Sequence, residues 1–150
     1  MATTTTTYDD IWSCFLDNIG KYSGNLPKEN SEIYRLIHNA VRDYNIKTDE
    51  DENKLTFVDD IEIVNQELDD NRLKLLALLL KKNVLQNDLE YFQEVYQYDL
   101  KEVKSKFYKN QVDGRTDTIN KVEREILEIL SYMDDRDFSW WKIIVIIKPK

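Results

Sequence analysis

The chain has 150 residues, which suits one domain around a single core and requires no second. Three glycines and two prolines are too few for the turns of an all-β protein, and a formal net charge of −8 argues against binding nucleic acid by phosphate neutralisation, which requires a basic face. One cysteine, Cys14, excludes an internal disulfide framework and suits a reducing cytosol; with no targeting segment at the N-terminus, export has no support.

Abundant Leu, Glu, Lys and Asp favour helices, so the expected fold is all-α. It is a small bundle of four to five helices around a long central apolar helix, with an extended β-forming C-terminal arm. The expected organisation is a flexible leader over residues 1–7, a helical bundle domain over 8–135, and the arm over 136–150. The Thr-rich leader Met1–Thr7 has nothing to bury and should be loose unless a neighbour holds it. Thr7 suits the N-cap of a first helix with Asp9 and Asp10 in its first turn and Ile11, Trp12, Phe15, Leu16 and Ile19 along one face. Gly20 stops it. After a loop holding Gly24 and Pro27, the spacing of Ile33, Leu36, Ile37, Ala40, Val41 and Tyr44 predicts a second amphipathic helix.

From Lys47 to Asp70 there are ten carboxylates against two lysines, with short apolar patches. This reads as a long acidic loop with a small hairpin through Leu55–Val58 and Ile61–Val64, although the turn between them lacks glycine. Asp69 or Asp70 then caps a long helix from Arg72 to about Tyr96. Leu73, Leu76, Leu79, Leu80, Val84, Leu85, Leu89, Phe92 and Val95 give it a broad apolar face that Leu75 and Leu78 widen. The aromatic-rich stretch from Tyr91 to Tyr108 continues as helix or restarts after a bend near Tyr98-Asp99, with Leu100, Val103 and Phe107 at helical spacing. Asp113-Gly114 signals a turn. A last helix is expected from Thr116 or Thr118 through Ile119, Val122, Ile126, Ile129, Leu130 and Met133 to about Asp134-Asp135.

Candidate chemistry is sparse. Asp49, Asp51, Asn53 and Asp60 approach a calcium-loop spacing, but Lys54 sits where the loop needs glycine and Asp60 is shorter than the bidentate Glu, so a solvated acidic loop is the better reading. Cys14 and His38 have no further support as nucleophile and base, and together they cannot furnish a zinc shell. No phosphate-cradling glycine loop or nucleophile elbow is present. The expectation is a protein that is not an enzyme and takes no cofactor or metal. Tyr91, Phe92, Tyr96, Tyr98, Phe107 and Tyr108, with Lys101, Lys104, Lys106 and Lys109, read as core aromatics beside a solvated face rather than a base-stacking groove.

The tail carries the strongest signal. Trp140 and Trp141 precede Ile143, Ile144, Val145, Ile146 and Ile147, a β-forming run apolar on both faces. It is too short to span a membrane as a helix. These seven residues are the candidate partner-binding site, adding a strand to a sheet of another protein, since a lone strand leaves its backbone groups unpaired. The other reading folds the run back as the domain's own edge strand or core plug.

The order of pieces is specific: Tyr8-Asp-Asp-Ile-Trp, then Glu32-Ile-Tyr-Arg-Leu-Ile-His-Asn-Ala, then Asn65-Gln-Glu-Leu-Asp-Asp, a Leu-rich helix, and a Glu-rich helix ending Ser131-Tyr-Met. Over residues 8 to 134 this order resembles the head-to-tail connector, or adaptor, proteins of tailed bacteriophages. The resemblance includes no catalytic motif. It implies an all-helical virion subunit, made in the host cytoplasm and placed in the neck between capsid portal and tail. Its partners would be the portal protein, copies of itself in a ring that is usually a dodecamer, and other neck or tail proteins. DNA would pass through the channel with at most non-specific proximity, and no membrane is involved. The alternative is a small cytosolic helical regulatory or inhibitor protein that docks its C-terminal strand on one target.

Overall fold

The computed structural model describes residues 5–20, 26–48, 54–96 and 102–134. Among these the chain is mostly helical with one small two-stranded sheet, in keeping with the all-α expectation. The elements are α1 (Tyr8–Ile19), α2 (Asn30–Thr48), β1 (Phe57–Val58), β2 (Ile63–Val64), α3 (Asp70–Tyr96) and α4 (Glu102–Asp134).

Helix α1 begins at Thr7, whose hydroxyl accepts from the Asp10 N–H while the Asp10 carboxylate accepts from the Thr7 N–H, a reciprocal capping box. Gly20, at φ 68°, closes it in a conformation that side chains resist. The buried face is Tyr8, Ile11, Phe15 and Ile19. Leu16, expected on that face, is exposed, because it lies about 90° round the helix from the centre of the set Tyr8, Ile11, Phe15 and Ile19. Helix α2 buries Leu36, Ile37, Ala40, Val41 and Tyr44, as its spacing predicts.

Helix α3 starts where Asp69 Oδ1 accepts from the Arg72 N–H at 2.9 Å. It packs against α1, α2 and α4. Its first half is buried all round, from Leu75 through Leu80, and this explains why the six apolar residues need no amphipathic alternation. Its second half is different. Beyond Leu85 no side chain of α3 is buried, and from Ser105 onward on α4 the first buried side chain is Ile119, followed by Val122 and Ile126. The outer half of the α3–α4 pair therefore lies beyond the core, its two helices covering mainly each other.

The turn expected at Asp113-Gly114 is absent: α4 runs through both as continuous helix. Tertiary contacts outweigh the local signal. Arg115 Nε donates to Asp88 at 3.0 Å, its guanidinium lies 4.0 Å from the Phe92 ring centroid, and Nη1 also reaches the Gln111 side chain at 2.9 Å. A helical glycine costs about 1 kcal/mol relative to alanine, less than such a set of contacts can return. The bend region near Tyr98-Asp99 and Leu100 lies outside the described residues, and the second helix starts at Glu102. Phe107, expected among core aromatics, is exposed.

The acidic stretch is built into the body. Strands β1 and β2 pair antiparallel, Phe57 with Val64 and Val58 with Ile63, while Leu55, Val64 and Leu68 are buried. The turn manages without glycine because Glu62 itself takes the left-handed conformation, at φ 55°. It is held there by its carbonyl, which accepts from the Tyr8 N–H at 2.8 Å, and by its carboxylate, which accepts from the Tyr34 hydroxyl. The leader also finds a neighbour here. Thr7 bridges Ile63, and Thr6, itself buried, accepts at its carbonyl from the Val64 N–H at 3.0 Å and at Oγ1 from the Leu68 N–H at 2.8 Å. Thr6 and Thr7 thus lie alongside β2 as a third segment, and residues 1–4 of the leader lie outside the described set.

Candidate functional site

The seven arm residues, Trp140, Trp141, Ile143, Ile144, Val145, Ile146 and Ile147, lie outside the described residues, as do Asp49, Asp51 and Asn53 of the calcium-like spacing. Asp60, its last member, is an exposed turn residue. Among the described residues no group of three His, Cys, Asp or Glu side chains is placed to hold a metal ion.

Cys14 and His38 face different surroundings. The Cys14 thiol sits against the Leu73 carbonyl and the Asn18 amide, and burial raises its pKa, as expected for an inert thiol. His38 stacks on Phe57, with ring centroids 3.8 Å apart, and its Nε2 lies 2.7 Å from Asp59 Oδ1. A carboxylate only accepts, so Nε2 carries the proton.

Sequence reasoning missed this polar cluster, because its members come from three separate elements. Tyr8 donates to the same Asp59 oxygen at 2.5 Å, and Tyr8 and Tyr34 meet edge to face at 5.3 Å. Burial, then the bond to Asp59, pushes the Tyr8 phenol well above its usual range. Its bond to the Glu62 carboxylate pushes Tyr34 up to about 12. The Asp59 carboxyl is held below the usual range, first by the Tyr8 hydroxyl and then by His38. These three bonds cross the α1–α2–hairpin junction and clamp the acidic segment to the bundle.

A groove of about 440 Å³ runs between α2 and α3, lined by Pro27, Leu36, Val84 and Tyr91 with Glu32, Arg35 and Asp88 at its polar positions. It leads onto the outer half of the α3–α4 pair. There Phe92 stacks on Tyr108 at 5.7 Å and tilts against Tyr96 at 4.7 Å, so part of the aromatic group is internal to the pair. Tyr96 is still 54% exposed, and Tyr91 at 66%, Phe107 at 62% and neighbouring Val95 at 47% stand further out. Large apolar side chains gathered on one exposed surface are a common mark of a face that meets another protein. The sequence signal was available in Val95 and Tyr91, which share one helix flank with Val84, but nothing in it showed that the bundle ends before they are covered.

A family model described as YomZ prophage protein matches residues 4–134. The chain belongs to the YomZ prophage protein family. It is 29% identical over 126 residues to the SPbeta prophage-derived uncharacterized protein YomZ of Bacillus subtilis (strain 168), a match covering 81% of this chain and 94% of that relative. No solved structure matches the chain. The YomZ membership makes this a phage-derived protein and extends from the leader through the whole of α4. The apolar run from Trp140 to Ile147 lies beyond the matched region. No helix among the described residues is long and apolar enough to cross a membrane.

Proposed function

We propose that this chain is a structural virion protein: a head-to-tail connector subunit that assembles with its own copies into a ring under the portal, extends the DNA channel and joins capsid to tail. The observation that carries the reading is the apolar surface left uncovered on the outer α3–α4 pair of a phage-family protein. The order of elements supports it, since α1, α2, the acidic segment, α3 and α4 follow one another as in the connector pattern. The net charge of −8 suits a wall past which DNA slides without adhering. The arm, Trp140 to Ile147, is assigned to the portal or another sheet as an added strand. Its role is binding, without catalysis, cofactor or metal, and its place is the virion neck.

Co-expression with the portal protein of the same phage, followed by electron microscopy of the purified complex, tests this. A ring of this chain seated on the portal is expected. A monomer that ignores the portal, or a small complex of fixed stoichiometry with a cytosolic target, would replace the connector reading with that of a regulatory protein.

A further inference from the structure

We infer that the outer half of the α3–α4 pair is a self-association surface whose occupant is the same surface of a second copy of this chain. Two observations converge on it. The first is the exposed set Tyr91, Val95 and Phe107 described above. The second is how charge is divided between the two helices. Between Lys82 and Tyr96, α3 carries Asp88, Glu90 and Glu94 and no cation, while from Ser105 to Val112 α4 carries Lys106 and Lys109 and no carboxylate. Asp88 is paired with Arg115 within the chain. Glu90, Glu94, Lys106 and Lys109 are exposed and have no ion pair among the described residues.

The outer part of α3 is therefore acidic and the stretch of α4 beside it basic, next to exposed apolar side chains of both helices. A two-fold axis parallel to the pair stacks apolar face on apolar face and sets the α3 edge of each copy against the α4 edge of the other. Both charge contacts are then made twice. A partner of uniform charge would satisfy one edge and be repelled by the other, which is why a copy of the same chain fits best. This surface is distinct from the arm and is the one on which the connector reading rests, but its pairing is tested with this chain alone, without the portal, so that a dimer can form or fail whether or not a ring is found on the portal.

Sedimentation of the full chain over a concentration series should show reversible dimer formation that weakens as salt is raised. Glu90→Lys/Glu94→Lys gives an all-basic surface and Lys106→Glu/Lys109→Glu an all-acidic one. Each alone should dimerise at least about tenfold more weakly, with helix content by circular dichroism unchanged, because like charges now face one another. Mixed in equal amounts, the two should form a one-to-one heterodimer, a rescue that pairing within a single chain cannot produce. Tyr91→Ala should weaken the wild-type dimer about tenfold or more. A wild-type chain that stays monomeric up to hundreds of micromolar, charge variants that self-associate as the wild type does, or a mixture that remains separate would each overturn the proposal.

Discussion

The Tyr8 hydroxyl and the Asp59 carboxylate, 51 positions apart in sequence, meet at 2.5 Å and tie the first turn of α1 to the turn of the β1–β2 hairpin. Because the folded state holds the Tyr8 phenol neutral well above its usual range, unfolding at high pH is coupled to its ionisation. The sign follows from a raised folded-state value: the contribution is complete below the unfolded pKa of about 10 and is lost as pH rises above it. Tyr8→Phe should cost about 1–2 kcal/mol at neutral pH, read from urea midpoints, and should flatten the loss of stability above pH ~10. An unchanged midpoint would mean that the clamp contributes nothing.

Asp59 predicts the opposite limb. Its carboxyl is held below the usual range by Tyr8 and His38, so its contribution is present above the unfolded value of about 3.9 and is lost as pH falls through the lower folded value. Acid titration of stability should show a shallower decline below pH ~4 in Asp59→Asn than in the wild type. Equal slopes would place the acid sensitivity elsewhere.

Leu79 and Leu127 offer a contrast of burial at constant chemistry, one buried at 1% exposure and the other 61% exposed. Leu79→Ala should destabilise by about 2–5 kcal/mol, through lost transfer energy and the cavity left behind. Leu127→Ala should stay within about 0.5 kcal/mol. Similar denaturant midpoints for the two variants would contradict the packing of α3.

Gly114→Ala distinguishes helix from turn. A Cβ built at Gly114 meets nothing within 4 Å, and the residue lies inside α4. The substitution should raise stability by about 0.5–1 kcal/mol, by lowering the entropy of the unfolded chain. A loss of stability would restore the turn that Asp113-Gly114 suggests.

The parts of the fold legible in the sequence are those decided by neighbours along the chain. Thr7 and Asp10 cap α1, Asp69 caps α3, Gly20 ends α1, and the i, i+3, i+4 spacing of Leu36 to Tyr44 marks the buried face of α2. What escaped depends on long-range contacts. The hairpin of the acidic segment was legible in its short apolar patches, but its attachment was not, because Tyr8, Tyr34 and His38 arrive from two helices to engage Asp59 and Glu62. Gly114 reads as a breaker until Asp88 and Phe92 receive Arg115. The exposed surface was hidden for a related reason: periodicity shows that Tyr91 and Val95 share a helix flank, not whether the rest of the bundle reaches far enough to cover it.

The assignment of Trp140 to Ile147 as the arm that joins this protein to its partner is tested most directly by deleting residues 138–150 in the phage and imaging the particles. The described body, closed by its own core from Tyr8 to Met133, should still fold and give a helical spectrum. The account predicts portal-bearing heads that lack this protein and the tail beyond it. Tailed, infectious particles carrying the shortened protein at the neck would contradict the account.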